Sequence, residues 1–333
     1  MNTMKAARLY KAKDLRYEDV EIPQPGPNEV LIKIRANGLC GSDIHFFEDG
    51  KLGPYKVTKP YIPGHEASGV VVKAARDGSG PTEGTRVSIE PGIPCRRCRH
   101  CKEGRYNLCE EVVFLSAPPV NGTFAEYAVV AGDFAHPLPD AIDDEAGALV
   151  EPVSVGIQAA NRAGLKAGDT VAIVGTGPIG VITMLVAAAF GASELYMIDI
   201  AQKRLDFAQS LGARAVINAS RESVVERVRE VTDGRGADVV FDTSGSSKGS
   251  ALTPEIAARG GSIGLVGWAE VGTFPYPMEL VMERELDVHG VNRYCNTYPT
   301  AIGLMATKKI DVMPLVSHRF PLRGGGRGVL LLV

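Results

Sequence analysis

Thr170-Val-Ala-Ile-Val-Gly175-Thr-Gly177-Pro178-Ile179-Gly180 is the stretch on which the fold turns. Thr170-Val-Ala-Ile-Val has the apolar, β-branched texture of a buried strand, and the apolar run from Ile179 to Phe190 reads as a helix. Between them stands a GxGxxG. The first glycine permits a sharp turn, the second lets backbone N–H groups approach a pyrophosphate, and the third allows close packing of helix on strand. The helix N-terminus adds a favourable dipole for an anion. Asp199 closes the next strand-like run, Leu195-Tyr-Met-Ile. A carboxylate there accepts hydrogen bonds from adenosine ribose hydroxyls and repels a 2′-phosphate. NAD rather than NADP is therefore the expected dinucleotide, although Arg204, five residues on, is a residue type that also meets a phosphate.

Outward from this unit the alternation continues. Gln202–Leu211 reads as helix with Gly212 as its stop, Ala215-Val-Ile as strand and Glu222–Thr232 as helix. Asp238-Val-Val-Phe follows as strand, Ser250–Ala258 as helix and Gly261–Val266 as strand. Upstream, the spacing from Glu145 to about Ala163 suits a helix ended by Gly164 and Gly168. Strand–helix alternation at this interval predicts a parallel, doubly wound sheet, an α/β fold. The first 150 residues differ. Val30–Arg35 alternates at period two, Gly69–Lys73 is a second short β run, and Pro-Gly pairs at Pro25, Pro63 and Pro91 punctuate them. No helical period of useful length is read before about Asp143, so this half is expected to be an irregular β-rich or α+β unit.

The chain's 333 residues favour two domains, and 45% apolar with 23% charged residues excludes a disordered or fibrous chain. A formal charge of −3 gives no general electrostatic reason to expect nucleic acid or an anionic membrane as partner. Met1-Asn-Thr-Met-Lys lacks the apolar core of a signal peptide, and Val181–Phe190 is about half of a membrane span. A cytoplasmic chain without a membrane partner is expected.

Cys95, Cys98, Cys101 and Cys109 stand at loop spacing. Four thiolates close a tetrahedral zinc shell with no open position, which makes such a site structural. Arg96, Arg97, Arg99, Lys102 and Arg105 crowd the same loop, so a zinc ribbon binding nucleic acid is the rival reading from outside enzymology. A second set is dispersed: Cys40 and His45 in a turn after the Val30–Arg35 strand, His65-Glu66 after Pro63-Gly64, and Glu151 where the β-rich half meets the helical half. A thiolate, an imidazole and one or two carboxylates form a mixed shell able to leave a position for water or substrate. Their spacing alone does not bring them together.

Gly38-Leu-Cys-Gly-Ser-Asp-Ile-His, Gly64-His-Glu, the four-cysteine lobe and the glycine turn together resemble the zinc-dependent medium-chain dehydrogenases. Ile89-Glu-Pro-Gly, Gly104-Arg-Tyr-Asn-Leu, Val150-Glu-Pro-Val-Ser-Val-Gly and Arg293-Tyr-Cys-Asn-Thr sharpen the resemblance toward their polyol branch, the sorbitol and xylitol dehydrogenases. The similarity runs to about Leu322. It implies a GroES-like catalytic domain from residues 1–153 and 291–333 with a Rossmann domain, 154–290, inserted between. It implies a catalytic zinc on Cys40, His65 and Glu66, with Glu151 as fourth ligand or holder of its water. Ser42 and His45 match proton-relay positions, and Asp43 matches a partner for His65. Ile179, Asp199, Arg204, Val266-Gly267 and Val291-Asn292-Arg293 match NAD contacts; Arg293 and Tyr294 also match positions near the polyol.

The implied reaction is oxidation of a secondary alcohol of a polyol to a ketone, in a homodimer or homotetramer. A butanediol or threonine dehydrogenase is the rival within the family. The chain departs from the branch twice. Phe46 or Phe47 stands where a substrate-facing tyrosine is usual. After His318-Arg-Phe-Pro-Leu the family continues with an acidic helix and a closing strand, whereas this chain reads Arg323-Gly-Gly-Gly-Arg-Gly-Val-Leu-Leu-Leu-Val. Consecutive glycines cannot sustain a helix, so this stretch resembles a shifted or shortened end and a cost in stability is expected. Its last five residues are open to two readings, an added strand or a sticky apolar tail.

Overall fold

The computed structural model describes residues 3–268 and 273–322, together with the backbone of 326–332. It divides into two units, Met1–Glu151 with Tyr298–Val333, and Pro152–Thr297. In the second, the buried residues Thr170–Val174 form a central strand of a six-stranded sheet. Its order is Ala215–Asn218, Glu194–Asp199, Thr170–Val174, Ala237–Asp242, Ala257–Leu265, Asp287–Gly290, with every pairing parallel. The order reverses direction at Thr170–Val174, so the crevice at the carboxyl ends of that strand and Ala237–Asp242 is the topological switch point. Ala172, Val174, Tyr196, Ile198, Val240 and Ile263 pack in the core of this unit.

Three segments differ from the sequence reading. The helix expected from Glu145 is two helices, Asp144–Ala148 and Val150–Arg162. Pro152 lacks the N–H that would continue the first helix, which explains the break. The helix expected from Ser250 begins at Ser247, because the Ser246 hydroxyl caps it by accepting the Gly249 N–H at 3.0 Å. It ends at Ile256, and Ala257 already pairs with Ala237. The turn expected around Cys40 is a helix, Gly41–Asp49. Only Asp43 and Phe46 are buried on it, too narrow a stripe to register as a helical period.

The first unit is built on the long strand Glu29–Leu39. It pairs antiparallel with Ala67–Lys73 and Tyr127–Ala131 in a seven-stranded sheet. Val30, Ile32, Val71, Val87, Ile89 and Val130 fill its core. The backbone of Gly326–Leu332 forms a strand, antiparallel to Val316–Leu322 and parallel to Asn37–Leu39. Of the two readings of the apolar end, the strand is the one adopted; residues 323–325 lie outside the described residues. Among the described residues, no helix is long and apolar enough to cross a membrane.

Candidate functional site

Strand pairing brings the dispersed ligands together. Asn37 pairs with Ala67 across two antiparallel strands, so the end of one strand, leading into Cys40, meets the start of the other, preceded by His65 and Glu66. The Gly38 N–H donates to the Glu66 carbonyl at 2.7 Å and locks this register. The Cys40 Sγ, a ring nitrogen of His65 and a carboxylate oxygen of Glu66 all lie within 4.8 Å of one another. A Cβ at position 38 would collide with the Glu66 carboxylate, so a side chain there would have to displace it.

The electrostatics of this group fit a cation. Burial, and then the charges of Asp43 and Glu151, push the Cys40 thiol up to about 12, with the Ser42 hydroxyl acting in the opposite direction. Burial, and then Cys40 and Glu151, drive the Glu66 carboxyl well above the usual carboxylate range. Anions this crowded hold protons unless a metal ion replaces them. Glu66 Oε2 is buried and accepts no hydrogen bond among the described residues. One sulfur, one nitrogen and one oxygen donor with room for a further ligand is the donor set of a catalytic zinc. Glu151 is buried and acts on both Cys40 and Glu66 through its charge, but its carboxylate lies outside the tight group of three.

Asp43 organises the surroundings. Its Oδ2 accepts the Cys40 N–H at 3.2 Å, and its Oδ1 accepts the Gly64 N–H at 3.1 Å while facing His65 Nδ1 at 3.9 Å. Ser42 is half-buried beside the Cys40 sulfur, whereas His45 is exposed, its Nδ1 3.5 Å from Asp49 Oδ2 on the same helix. Phe46, expected near the substrate, is 4% exposed and packs edge-on to Tyr61, with Leu9, in an apolar cluster. A groove of about 740 Å³ on this unit, lined by Arg8, Gln24, Arg96 and Asn121 among others, includes none of the three ligands. Volume alone does not mark the reactive site.

Cys95, Cys98, Cys101 and Cys109 form a second compact group, again with ligand atoms within 4.8 Å of one another. The backbone N–H groups of Arg97 and Cys98 lower the Cys95 thiol to about 7, while burial and the neighbouring Cys98 raise Cys101 to about 12. Four thiolates at this separation require a cation, and tetrahedral zinc fits them. The basic side chains of the lobe are largely paired: Arg96 with Asp133 at 2.5 Å, Arg97 with Glu111 at 2.6 Å, and Arg99 with Glu103 at 2.6 Å.

In the second unit the glycine turn follows Thr170–Val174, and Gly177 caps the helix Pro178–Ala189, in whose first turn Ile179 is half-buried. Gly175 holds φ at +94°, with the Ser244 backbone 2.7 Å from where a Cβ would sit. At Gly180 a Cβ would collide with the Gly175 carbonyl, whereas at Gly177 it would meet open space. The Asp199 carboxylate is fixed by the Thr176 N–H at 2.7 Å and the Ala201 N–H at 2.8 Å. Arg204 is exposed on the helix Gln202–Ser210. The N–H groups of Val266 and Gly267 both donate to the Asp242 carbonyl, and that of Val291 to Leu265, so these residues follow the carboxyl ends of neighbouring strands. Asn292 is exposed, Arg293 holds φ at +54°, and Tyr294 is buried. Sequence reasoning missed Thr243, whose hydroxyl donates to the Gly175 carbonyl at 2.8 Å and ties down the glycine turn. A lone threonine after a strand carries no such signal.

Comparison with known proteins agrees with this geometry. Residues 26–140 match the alcohol dehydrogenase GroES-like domain, and residues 178–307 match the zinc-binding dehydrogenase family. The sorbitol dehydrogenase of Bacillus subtilis is 39% identical over 321 residues, covering 96% of this chain and 90% of the relative. The human sorbitol dehydrogenase is 42% identical over 312 residues, covering 93% and 87%. Among solved structures, a zinc-binding dehydrogenase from Sinorhizobium meliloti, bound to NADP, superposes with a TM-score of 0.91 at 30% identity, covering all of both chains.

Proposed function

The chain belongs to the zinc-dependent medium-chain dehydrogenases, in their polyol branch, and on that premise we propose how its residues divide the work. The enzyme oxidises a secondary alcohol of a small polyol to a ketone with zinc and a nicotinamide cofactor. Zinc supplies Lewis acidity that lowers the pKa of a bound hydroxyl, and the nicotinamide supplies a hydride acceptor.

Cys40, His65 and Glu66 hold the catalytic ion, with Glu151 as its fourth ligand or as holder of its water. The observation that carries this reading is the convergence of three buried donors within 4.8 Å. Ser42, beside the Cys40 sulfur, takes up the substrate proton, and the exposed His45 passes it toward solvent. Cys95, Cys98, Cys101 and Cys109 hold a structural ion, and the pairing of Arg96, Arg97 and Arg99 with carboxylates supports a lobe without a nucleic-acid role.

NAD is the cofactor we assign. Asp199, fixed by two backbone N–H groups at the end of its strand, presents negative charge where a 2′-phosphate would lie. Gly175, Gly177, Pro178, Ile179 and Gly180 cradle the pyrophosphate, and Val266, Gly267, Val291, Asn292 and Arg293 flank the nicotinamide half. Arg293 and Tyr294 face the polyol. Family membership supports a homodimer or homotetramer, which light scattering tests.

The test of function is absorbance of reduced nicotinamide across a panel of polyols, with each dinucleotide, before and after chelation. Turnover of a polyol with NAD that chelator abolishes is expected. Turnover that survives complete removal of metal would refute the assignment.

A further inference from the structure

Ser116 belongs to none of the motifs above, yet its hydroxyl stands between the two metal-bearing segments. It accepts the Gly64 N–H at 2.8 Å and donates to Asp43 Oδ1 at 3.0 Å. The residue is 3% exposed and holds φ at +70°, a conformation that a side chain with a Cβ adopts only under constraint. The position therefore keeps a hydroxyl where glycine would relax the backbone.

We propose that Ser116 is a positioning residue for the catalytic cation, acting through Asp43. This rests on the reading that Cys40, His65 and Glu66 hold zinc. One carboxylate joins both segments: Oδ2 is tied to the Cys40 N–H, and Oδ1 is tied to the Gly64 N–H and faces His65 Nδ1. Rotation of that carboxylate changes what the imidazole nitrogen meets, and hence which ring nitrogen is presented to the metal. The Ser116 hydroxyl opposes the rotation, because turning Oδ1 away from Gly64 breaks a buried hydrogen bond to a neutral donor. Ser116 reaches neither the ion nor the substrate in this role. Its effect on turnover follows from how firmly the ion and His65 are held.

Two variants separate this role from a structural one. Ser116→Ala removes the hydroxyl and keeps the strained backbone, whereas Ser116→Gly removes the hydroxyl and relaxes the strain. The experiment follows zinc release from the metal-loaded, full-length enzyme to a chromogenic chelator, beside the melting temperature and the visible spectrum of the cobalt-substituted enzyme. Both variants are expected to release one zinc equivalent about tenfold faster than the parent and to shift the cobalt bands, although the glycine variant melts no lower than the alanine variant. Retention of zinc and an unchanged cobalt spectrum in Ser116→Gly would overturn the proposal. A Cys40→Ala control keeps the two readings apart. If Cys40→Ala binds as much zinc as the parent, it is the assignment of the cation site that fails.

Discussion

Gly38, on the strand Glu29–Leu39, and Glu66, just before the strand Ala67–Lys73, are in contact: the glycine N–H donates to the glutamate carbonyl at 2.7 Å, and its bare α-carbon leaves the space that the carboxylate fills. A β-strand glycine is normally a weakness, since it packs nothing and costs entropy. Here its smallness admits an acidic metal ligand to a buried corner. Gly38→Ala is therefore expected to displace Glu66, with catalytic zinc affinity and kcat/KM falling about 10- to 100-fold while NAD binding persists. Zinc titration and steady-state kinetics check this; full zinc affinity in the alanine variant would contradict it.

We propose that cofactor choice rests on Asp199. Asp199→Ala removes the carboxylate proposed to meet the ribose hydroxyls and leaves the exposed Arg204 on the following helix. The expected outcome is a loss of about 10- to 100-fold in kcat/KM with NAD, a smaller change or a gain with NADP, and a narrowed ratio between them. Parallel kinetics with the two dinucleotides decide the matter.

The cysteine lobe is proposed to hold a structural ion and do no chemistry. Cys98→Ser is expected to bind one zinc equivalent fewer and to melt several degrees lower, at about 2–4 °C per kcal/mol for a domain of this size. Polyol oxidation should persist below the new melting temperature. Metal analysis and calorimetry test it, and loss of both zinc equivalents would show the two sites to be coupled.

Arg96 braces this lobe against Asp133, whose carboxyl it holds below the usual range, chiefly through their hydrogen bonds. A depressed folded-state pKa stabilises at pH values above the unfolded one, and the gain is lost as pH falls through the folded value. Both side chains are about half exposed, at 47% and 48%, so screening limits the pair to less than about 1 kcal/mol. Asp133→Asn should lower the melting temperature slightly at neutral pH and have no effect once acid has protonated the aspartate. An equal deficit at low pH would contradict the assignment.

The centre of the parallel sheet was legible because Thr170–Val174, Glu194–Asp199 and Ala237–Asp242 are largely apolar runs, and Gly175 and Gly180 sit where a Cβ would collide with backbone; the edge strand Asp287–Gly290 has no apolar run and was not read. The four-cysteine lobe was legible because its ligands are local in sequence. The catalytic group was not legible from spacing, since the pairing of Asn37 with Ala67 that brings Cys40 to His65 is a long-range contact. The helix Gly41–Asp49 was not legible because it carries too few buried residues, Asp43 and Phe46, to show a period. Ser116 and Thr243 act through single hydroxyls on distant partners, a relationship no local pattern records.

On the proposed assignment, the reaction depends on one metal ion held by Cys40, His65 and Glu66. Zinc-edge X-ray absorption on the Cys98→Ser enzyme, expected to lack the structural ion, views that site alone. The expected shell has a single sulfur at about 2.3 Å and nitrogen or oxygen ligands at about 2.0–2.2 Å, and adding Cys40→Ala is expected to remove most of the bound zinc and the sulfur from any that remains. A bound zinc with no sulfur in its shell, or a shell unchanged by the Cys40 substitution, would contradict it.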